Sequence, residues 1–117
     1  AVGKRALTSY RVLDHAGRTA AWLALEPHTG RTHQLRVHAA EGLNTPILGD
    51  GKYGGPKAFL EGFVNSKQMH LHARAVRLKK PDGRKIEIVA APPKHFLETF
   101  ERLGFDLENG RVLFSDD

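Results

Sequence analysis

The chain has no cysteine, which excludes disulfides, thiolate metal sites and thiol nucleophiles and fits a reducing compartment. It has no apolar run near the roughly 20 residues of a membrane span, and its N-terminus shows no signal-peptide pattern. A cytoplasmic protein with no membrane partner is expected. Phosphate-binding loops are missing too, since Gly49, Gly51, Gly54 and Gly55 fit neither GxGxxG nor GxxxxGK[ST]. Ser9, Ser66 and Ser115 lie in no Gly-x-Ser-x-Gly elbow, which removes the usual hydrolase nucleophile. Seven histidines invite a metal, but there is no HExxH. His33 and His38 fall on different helix faces. His70 and His72 share a strand face at a spacing zinc can use, yet no carboxylate cluster completes a set. Hydrogen-bonded structural residues or RNA contacts are the better reading of that pair, and neither metal nor cofactor is expected.

Negative charge is also in short supply. Lys and Arg total 18 against 13 for Asp and Glu, a net charge of +5, which suits a polyanionic partner without requiring one. With 117 residues, 40% hydrophobic and 26% charged, the chain has the makings of one soluble domain with a single core. It begins at Ala1 and not at methionine, so a piece of something longer is expected.

Alternation predicts strands over Leu7–Asp14 and Thr19–Glu26, joined by a turn at His15–Arg18 into an antiparallel hairpin. Thr32 is placed to cap a helix to Glu41, stopped by Gly42, with Leu35, Ala39 and Leu43 as its buried stripe. Asn44 to Gly55 is too rich in glycine for regular structure and reads as an ordered loop presenting Asp50, Lys52 and Tyr53. Pro56 to Ser66 suggests a helical turn around Phe59, Leu60 and Phe63. A second hairpin follows, with strands Leu71–Lys79 and Lys85–Ala90 about a Pro81-Asp82-Gly83 turn. Pro92 and Pro93 open a final helix with Phe96, Leu97, Phe100 and Leu103 inward and Gly104 as its stop. Asn109-Gly110 marks a turn before Val112, Leu113 and Phe114, a candidate short strand. The sum is an α+β domain with a mostly antiparallel or mixed sheet built from hairpins and two main helices.

The chemistry concentrates in Gly30–His38, which packs two arginines, two histidines and a glutamine into nine residues. His33 and Arg36 share one helix face beside the apolar stripe, as a cleft wall would require. If the following loop folds back over this helix, Arg31, His33, Arg36, Lys52 and Tyr53 line one groove, joining charge for phosphates with a ring for stacking. A solvated basic helix beside a structural tyrosine explains the same spacing equally well.

The residues themselves narrow the choice. TGRTHQLRVH over Thr29–His38, PILGD over Pro46–Asp50, Lys52-Tyr53-Gly54 and Leu71-His72-Ala73, preceded by Thr8-x-Tyr10, resemble in order and spacing the C-terminal half of RluA-type ribosomal large-subunit pseudouridine synthases. The resemblance runs from about Ala6 to Phe100. It implies isomerisation of uridine to pseudouridine in RNA without metal or organic cofactor. An aspartate attacks the nucleotide, the bond to N1 breaks, and the uracil turns and rejoins through C5, on a base flipped from its stack. It assigns Arg36 as partner of the catalytic aspartate. Arg31, His33, Gln34, Lys52, Tyr53, His70 and His72 become candidates for RNA and substrate contact, the first three also holding the helix and its loop.

One departure limits the resemblance. The family's aspartate lies in an upstream H-R-L-D-x-x-T-S-G block that this chain lacks, and its upstream Lys-x-Tyr tyrosine is missing as well. Arg11-Val12-Leu13-Asp14 mimics the block, but no histidine precedes it, no Thr-Ser-Gly follows, and Asp14 ends a strand that belongs after the catalytic block. Asp50 is expected to be structural, accepting N–H bonds in its glycine-rich turn. The 117 residues therefore read as one domain that is the C-terminal portion of a catalytic domain, inactive alone. A cut sheet should expose an edge and an apolar face near the second strand, which leaves self-association open. The alternative is a non-catalytic basic RNA-binding module of the same fold.

Overall fold

The computed structural model describes residues 5–63 and 67–112. Strands β1 (Thr8–Ala16) and β2 (Ala20–Pro27) pair antiparallel, with Tyr10 opposite Leu25 and Val12 opposite Leu23. Both expected strands are present. β1 continues two residues further because Asp14, His15 and Ala16 stay paired with Trp22, Ala21 and Ala20 beyond a bulge between Val12 and Asp14. Gly17, at φ 52°, turns the chain. Alternation along β2 sends Leu23 and Leu25 to one face and Trp22 and Ala24 to the other, so the hairpin has two apolar faces to cover.

The first face receives a short helix. Only Gln34–Val37 is α-helical (α1), and His38–Gly42 continues it as one widened turn in which the Leu43 N–H reaches the His38 carbonyl at 2.9 Å. Leu35, Ala39 and Leu43 face Tyr10 and Leu25 across a shallow apolar groove, as their spacing predicts. Thr32 is not the cap. His33 holds that position in the left-handed region, φ 52°, without a side-chain cap bond, and the Arg31 N–H is satisfied from inside the helix by Gln34 Oε1 at 3.1 Å.

The glycine-rich segment is more regular than its composition suggests. Gly51–Gly54 forms a helical turn (α2), followed by a 3-10 turn over Gly55–Ala58. Asp50 caps α2, and the glycines serve close approach. A Cβ on Gly49 (φ 87°) would lie 2.1 Å from the Gln68 carbonyl oxygen, and one on Gly54 would lie 2.5 Å from Pro46. The helical turn expected around Phe59 ends earlier, at Ala58. Phe63 instead lies under the Arg102 guanidinium, 4.4 Å from its centre, and Ser66 falls outside the described residues.

The second hairpin pairs β3 (Ala75–Lys79) with β4 (Lys85–Val89), Ala75 opposite Val89. β3 starts four residues later than predicted for a reason the register makes plain. Carried back, it sets His72 and Leu71 against Pro92 and Pro93, which have no N–H to donate. Val76, Leu78, Ile86 and Ile88 share one face, and all four are exposed. On the other side Arg77 and Glu87 form an ion pair at 3.1 Å.

Helix α3 (Lys94–Leu103), closed by Gly104 at φ 76°, covers the second face of the first hairpin. Phe96 and Phe100 join Phe105, Trp22, Ala16 and Leu103 in the core, with the Trp22 and Phe100 rings 4.4 Å apart. Leu97, expected inward, is 40% exposed, because the stripe 96, 99, 100 and 103 leaves it at the margin. Asn109-Gly110 lies in a 3-10 turn, and Gly110 sits flat against the Trp22 ring. Val112 joins no strand, and Leu113 and Phe114 lie outside the described residues.

The architecture is α+β, with two separate antiparallel hairpins and the helices around the first. The chain exposes 8576 Å², against roughly 6,300 Å² for a compact monomer of its size. Among the described residues the exposed large apolar side chains include Tyr10 and Val12 on β1, both more than half exposed, and those of the second hairpin, and none lies on β2.

His70 fastens the segment before β3 to α3. Its ring lies between His95 and Phe96, with Nδ1 2.7 Å from the Gln68 carbonyl and Nε2 2.8 Å from the Thr99 hydroxyl. A carbonyl only accepts, so Nδ1 carries the proton and Nε2 accepts from Thr99. Burial holds the pKa of His70 below the ordinary histidine value. The unfolded chain therefore takes up this proton before the folded one does. Stability from this site is complete above about pH 6.5 and falls as pH drops through that value toward the lowered one. Urea denaturation between pH 7.5 and 5 is expected to show this loss, and His70→Gln is expected to flatten it.

Candidate active-site wall

Gln34 is the anchor of α1 and uses its whole hydrogen-bonding capacity. It is buried. Its Oε1 accepts from the Thr29 hydroxyl (2.6 Å) and the Arg31 N–H, while Nε2 donates to the Leu7 carbonyl and to Thr8 Oγ1, both at 2.9 Å. Thr29 in turn accepts from the Leu7 N–H, and the Thr8 hydroxyl is hydrogen-bonded to His38 Nδ1 at 2.7 Å. One amide thus ties the start of β1, the segment after β2 and the helix together.

With α1 so held, Arg36 faces α2. Its Nε donates to Asp50 Oδ2 at 3.0 Å and its Nη2 to Oδ1 at 2.7 Å, a bidentate pair. Asp50 is fully buried, whereas Arg36 keeps 17% of its side chain exposed. The Tyr53 N–H adds a long contact to Oδ1 at 3.5 Å. The Arg36 hydrogen bond holds the Asp50 carboxyl below the usual carboxylate range, and Asp50 raises Arg36 in return. Asp50 does accept a backbone N–H as expected, but its main partner, Arg36, was not foreseen.

Tyr53 gathers the rest. Its hydroxyl lies 2.8 Å from His33 Nδ1, the Arg36 guanidinium is 5.0 Å from its ring centre, and Lys52 Nζ is 5.4 Å from the same centre. The loop therefore folds back over the helix as the groove reading requires, and His33, Arg36, Lys52 and Tyr53 meet. Left-handed backbone at His33, uncommon for a residue other than glycine, accompanies this placement. Arg31 does not join them. Its Nε turns to the Arg5 carbonyl at 3.2 Å, while its backbone helps hold Gln34.

His70 and His72 also stand outside the cluster. His70 packs on α3, and His72 donates to the Ala90 carbonyl at 3.2 Å beside the Phe96 ring. Asp14 is structural: its carboxylate accepts the Asp106 and His15 N–H groups and the Asn109 amide. The Asp106 N–H above all holds it below the ordinary range. Thr8, Thr29 and His38 do work that spacing alone does not announce, although Thr8 stands in the Thr8-x-Tyr10 match. Among the described residues no helix is long and apolar enough to cross a membrane.

Comparison with known proteins gives the family to which the chain is similar. The family described as RNA pseudouridylate synthase matches residues 1–41. An uncharacterized RNA pseudouridine synthase of Zymomonas mobilis is 42% identical over 104 residues, covering 88% of this chain and 42% of that protein. Ribosomal large subunit pseudouridine synthase D of Escherichia coli K12 is 38% identical over 116 residues, covering 92% of this chain and 35% of the relative. In three dimensions, human RNA pseudouridylate synthase domain containing 4 superposes with a TM-score of 0.69 at 33% identity, covering 85% of this chain and 42% of that one. The family match and these likenesses over most of the chain support an RluA-type RNA pseudouridine synthase fragment. It spans less than half the length of each of these relatives.

Replacing Gln34 by alanine would remove all four of its hydrogen bonds, to Thr29, Arg31, Leu7 and Thr8, and leave a cavity at a buried position. A loss of about 2–3 kcal/mol in urea denaturation is expected.

Proposed function

We propose that this chain is the C-terminal portion of the catalytic domain of a cytoplasmic enzyme that isomerises uridine to pseudouridine in ribosomal large-subunit RNA. Arg36 is the partner of a nucleophilic aspartate carried upstream. The observation that supports this most is the Arg36–Asp50 pair: a guanidinium fixed by a buried carboxylate, yet itself still partly exposed and with donors not used by that carboxylate. A carboxylate nucleophile beside such a group stays ionised at neutral pH.

The neighbouring groups suit the substrate. Lys52 and Arg36 supply charge for phosphates, and Tyr53 and His33 supply rings at the same place, the combination a flipped nucleotide needs. In the reaction the aspartate attacks the nucleotide as the glycosidic bond to N1 breaks, the uracil rotates and is rejoined through C5 with release of the aspartate, and C5 gives up its proton while N1 gains one. No atom is lost, so the product is an isomer and no co-reactant is consumed. Arg31 and Gln34 serve by holding α1, while His70 and His72 support the segment behind it and contact RNA only at the margin.

Two measurements test the reading, both using conversion of uridine in ribosomal RNA. The isolated 117-residue chain is expected to give no pseudouridine, and turnover by it would place the nucleophile within this sequence. In the complete enzyme Arg36→Ala is expected to lower kcat by at least about 1,000-fold while most RNA binding survives. An unchanged rate would remove Arg36 from the reaction.

A further inference from the structure

Arg36 commits one edge of its guanidinium to Asp50, through Nε and one Nη2 hydrogen. The far end carries three further N–H groups, two on Nη1 and one on Nη2, and none has a hydrogen-bond partner among the described residues. Two of them lie parallel in the guanidinium plane and match a second carboxylate approaching end-on.

Asp50 is unusually well fixed for the role of holding the first edge. It is fully buried. Its N–H donates to the Ile47 carbonyl and its carbonyl accepts the Gly54 N–H, each at 2.9 Å. The preceding Gly49 is seated against the Gln68 and Met69 backbone at a distance no side chain would allow. The carboxylate therefore moves only with the fold, and an otherwise flexible arginine takes its orientation from it.

We propose that Asp50 is a positioning residue of the isomerisation: it holds Arg36 side-on, so that the free end of the guanidinium meets the nucleophilic aspartate of the complete enzyme, and its negative charge moderates how strongly that aspartate is held as a carboxylate. This rests on Arg36 being the nucleophile's partner. The charges follow simply. Arg36 touches the second carboxylate directly and keeps it ionised, while Asp50, on the adjacent edge of the same cation, opposes that ionisation more weakly from further off. Among the described residues His33, at the N-cap of α1, and Lys52 and Tyr53, both on α2, are the other titratable groups facing the pair; the two bases favour the ionised form when protonated, and the Tyr53 phenol opposes it only when it is itself ionised.

The test is the pH profile of pseudouridine formation by the complete enzyme carrying Asp50→Asn. The amide keeps the size and loses the charge. The expected result is a fall in kcat of about 10–100-fold from misplacement of Arg36, KM for RNA within about twofold, and an acid limb of kcat displaced to lower pH. Asp50→Glu, with the charge restored, is expected to return the acid limb to its wild-type position. A wild-type kcat with an unmoved limb overturns the proposal, as does a fall in kcat with the limb unmoved, which marks a merely structural role.

If Asp50→Asn does not fold, Arg36→Lys decides. Lysine answers Asp50 as a point charge but offers no parallel pair of donors to a second carboxylate. A kcat as low as that of Arg36→Ala at a normal melting temperature supports the proposal, and a wild-type kcat overturns it. Turnover surviving Arg36→Ala defeats the assignment of Arg36 itself. Turnover lost in Arg36→Ala but indifferent to Asp50→Asn leaves that assignment standing and removes only Asp50.

Discussion

The Asp50 carboxylate is fully buried, and a carboxylate taken out of water costs several kcal/mol unless it is paired. The pairing is supplied by one residue, Arg36, from another element fourteen positions away. Removing either partner of such a pair typically costs 3–5 kcal/mol, yet replacing both with well-packed apolar groups is often neutral or stabilising. Stability alone is therefore a poor reason for the pair. What it provides is direction: a planar cation held on one edge, at the point where α1, α2 and the loop through Gly49 converge.

That direction depends in turn on α1, which at four residues cannot be stable on its own. Its apolar stripe covers little area and leaves a groove against Tyr10 and Leu25. The polar chain from Leu7 through Thr29, Gln34 and Thr8 to His38 supplies what the apolar contact lacks. Hydrogen bonds of this kind are worth only about 1 kcal/mol each in net terms, but a buried one left unmade costs more than that. The network penalises every other seating of the helix, and so fixes where Arg36 and His33 point.

Much of this was legible in the residue order. Alternation and glycine turns located both hairpins, the 3.6-residue period located α3, and the Gly30–His38 cluster with Lys52 and Tyr53 contained the four side chains, His33, Arg36, Lys52 and Tyr53, that the fold brings together. Three things were not legible, each for a physical reason. A local period cannot reveal a bond between residues 36 and 50, since their meeting depends on how the intervening glycines fold. Composition made that loop look irregular, whereas the glycines at 49 and 54 permit contacts that a Cβ would forbid. The start of β3 is decided by Pro92 and Pro93 on the opposite strand, which becomes visible only once the register is known. Alternation in β4 did show that Ile86 and Ile88 share a face; it could not say whether anything covers them.

The uncovered faces of β1 and the second hairpin stand in contrast to the site. Apolar surface can remain exposed in a piece of a larger domain at the expense of solubility. A lone buried carboxylate at Asp50 would be far more costly. The Arg36–Asp50 pair removes that cost within these residues, because the carboxylate is already paired before any other one arrives. On the proposed reading the wall of the site is therefore electrostatically complete without the nucleophile. The nucleophile, when it docks, meets donors that need no reorganisation, and preorganisation of this kind is the form in which electrostatics contributes most to catalysis.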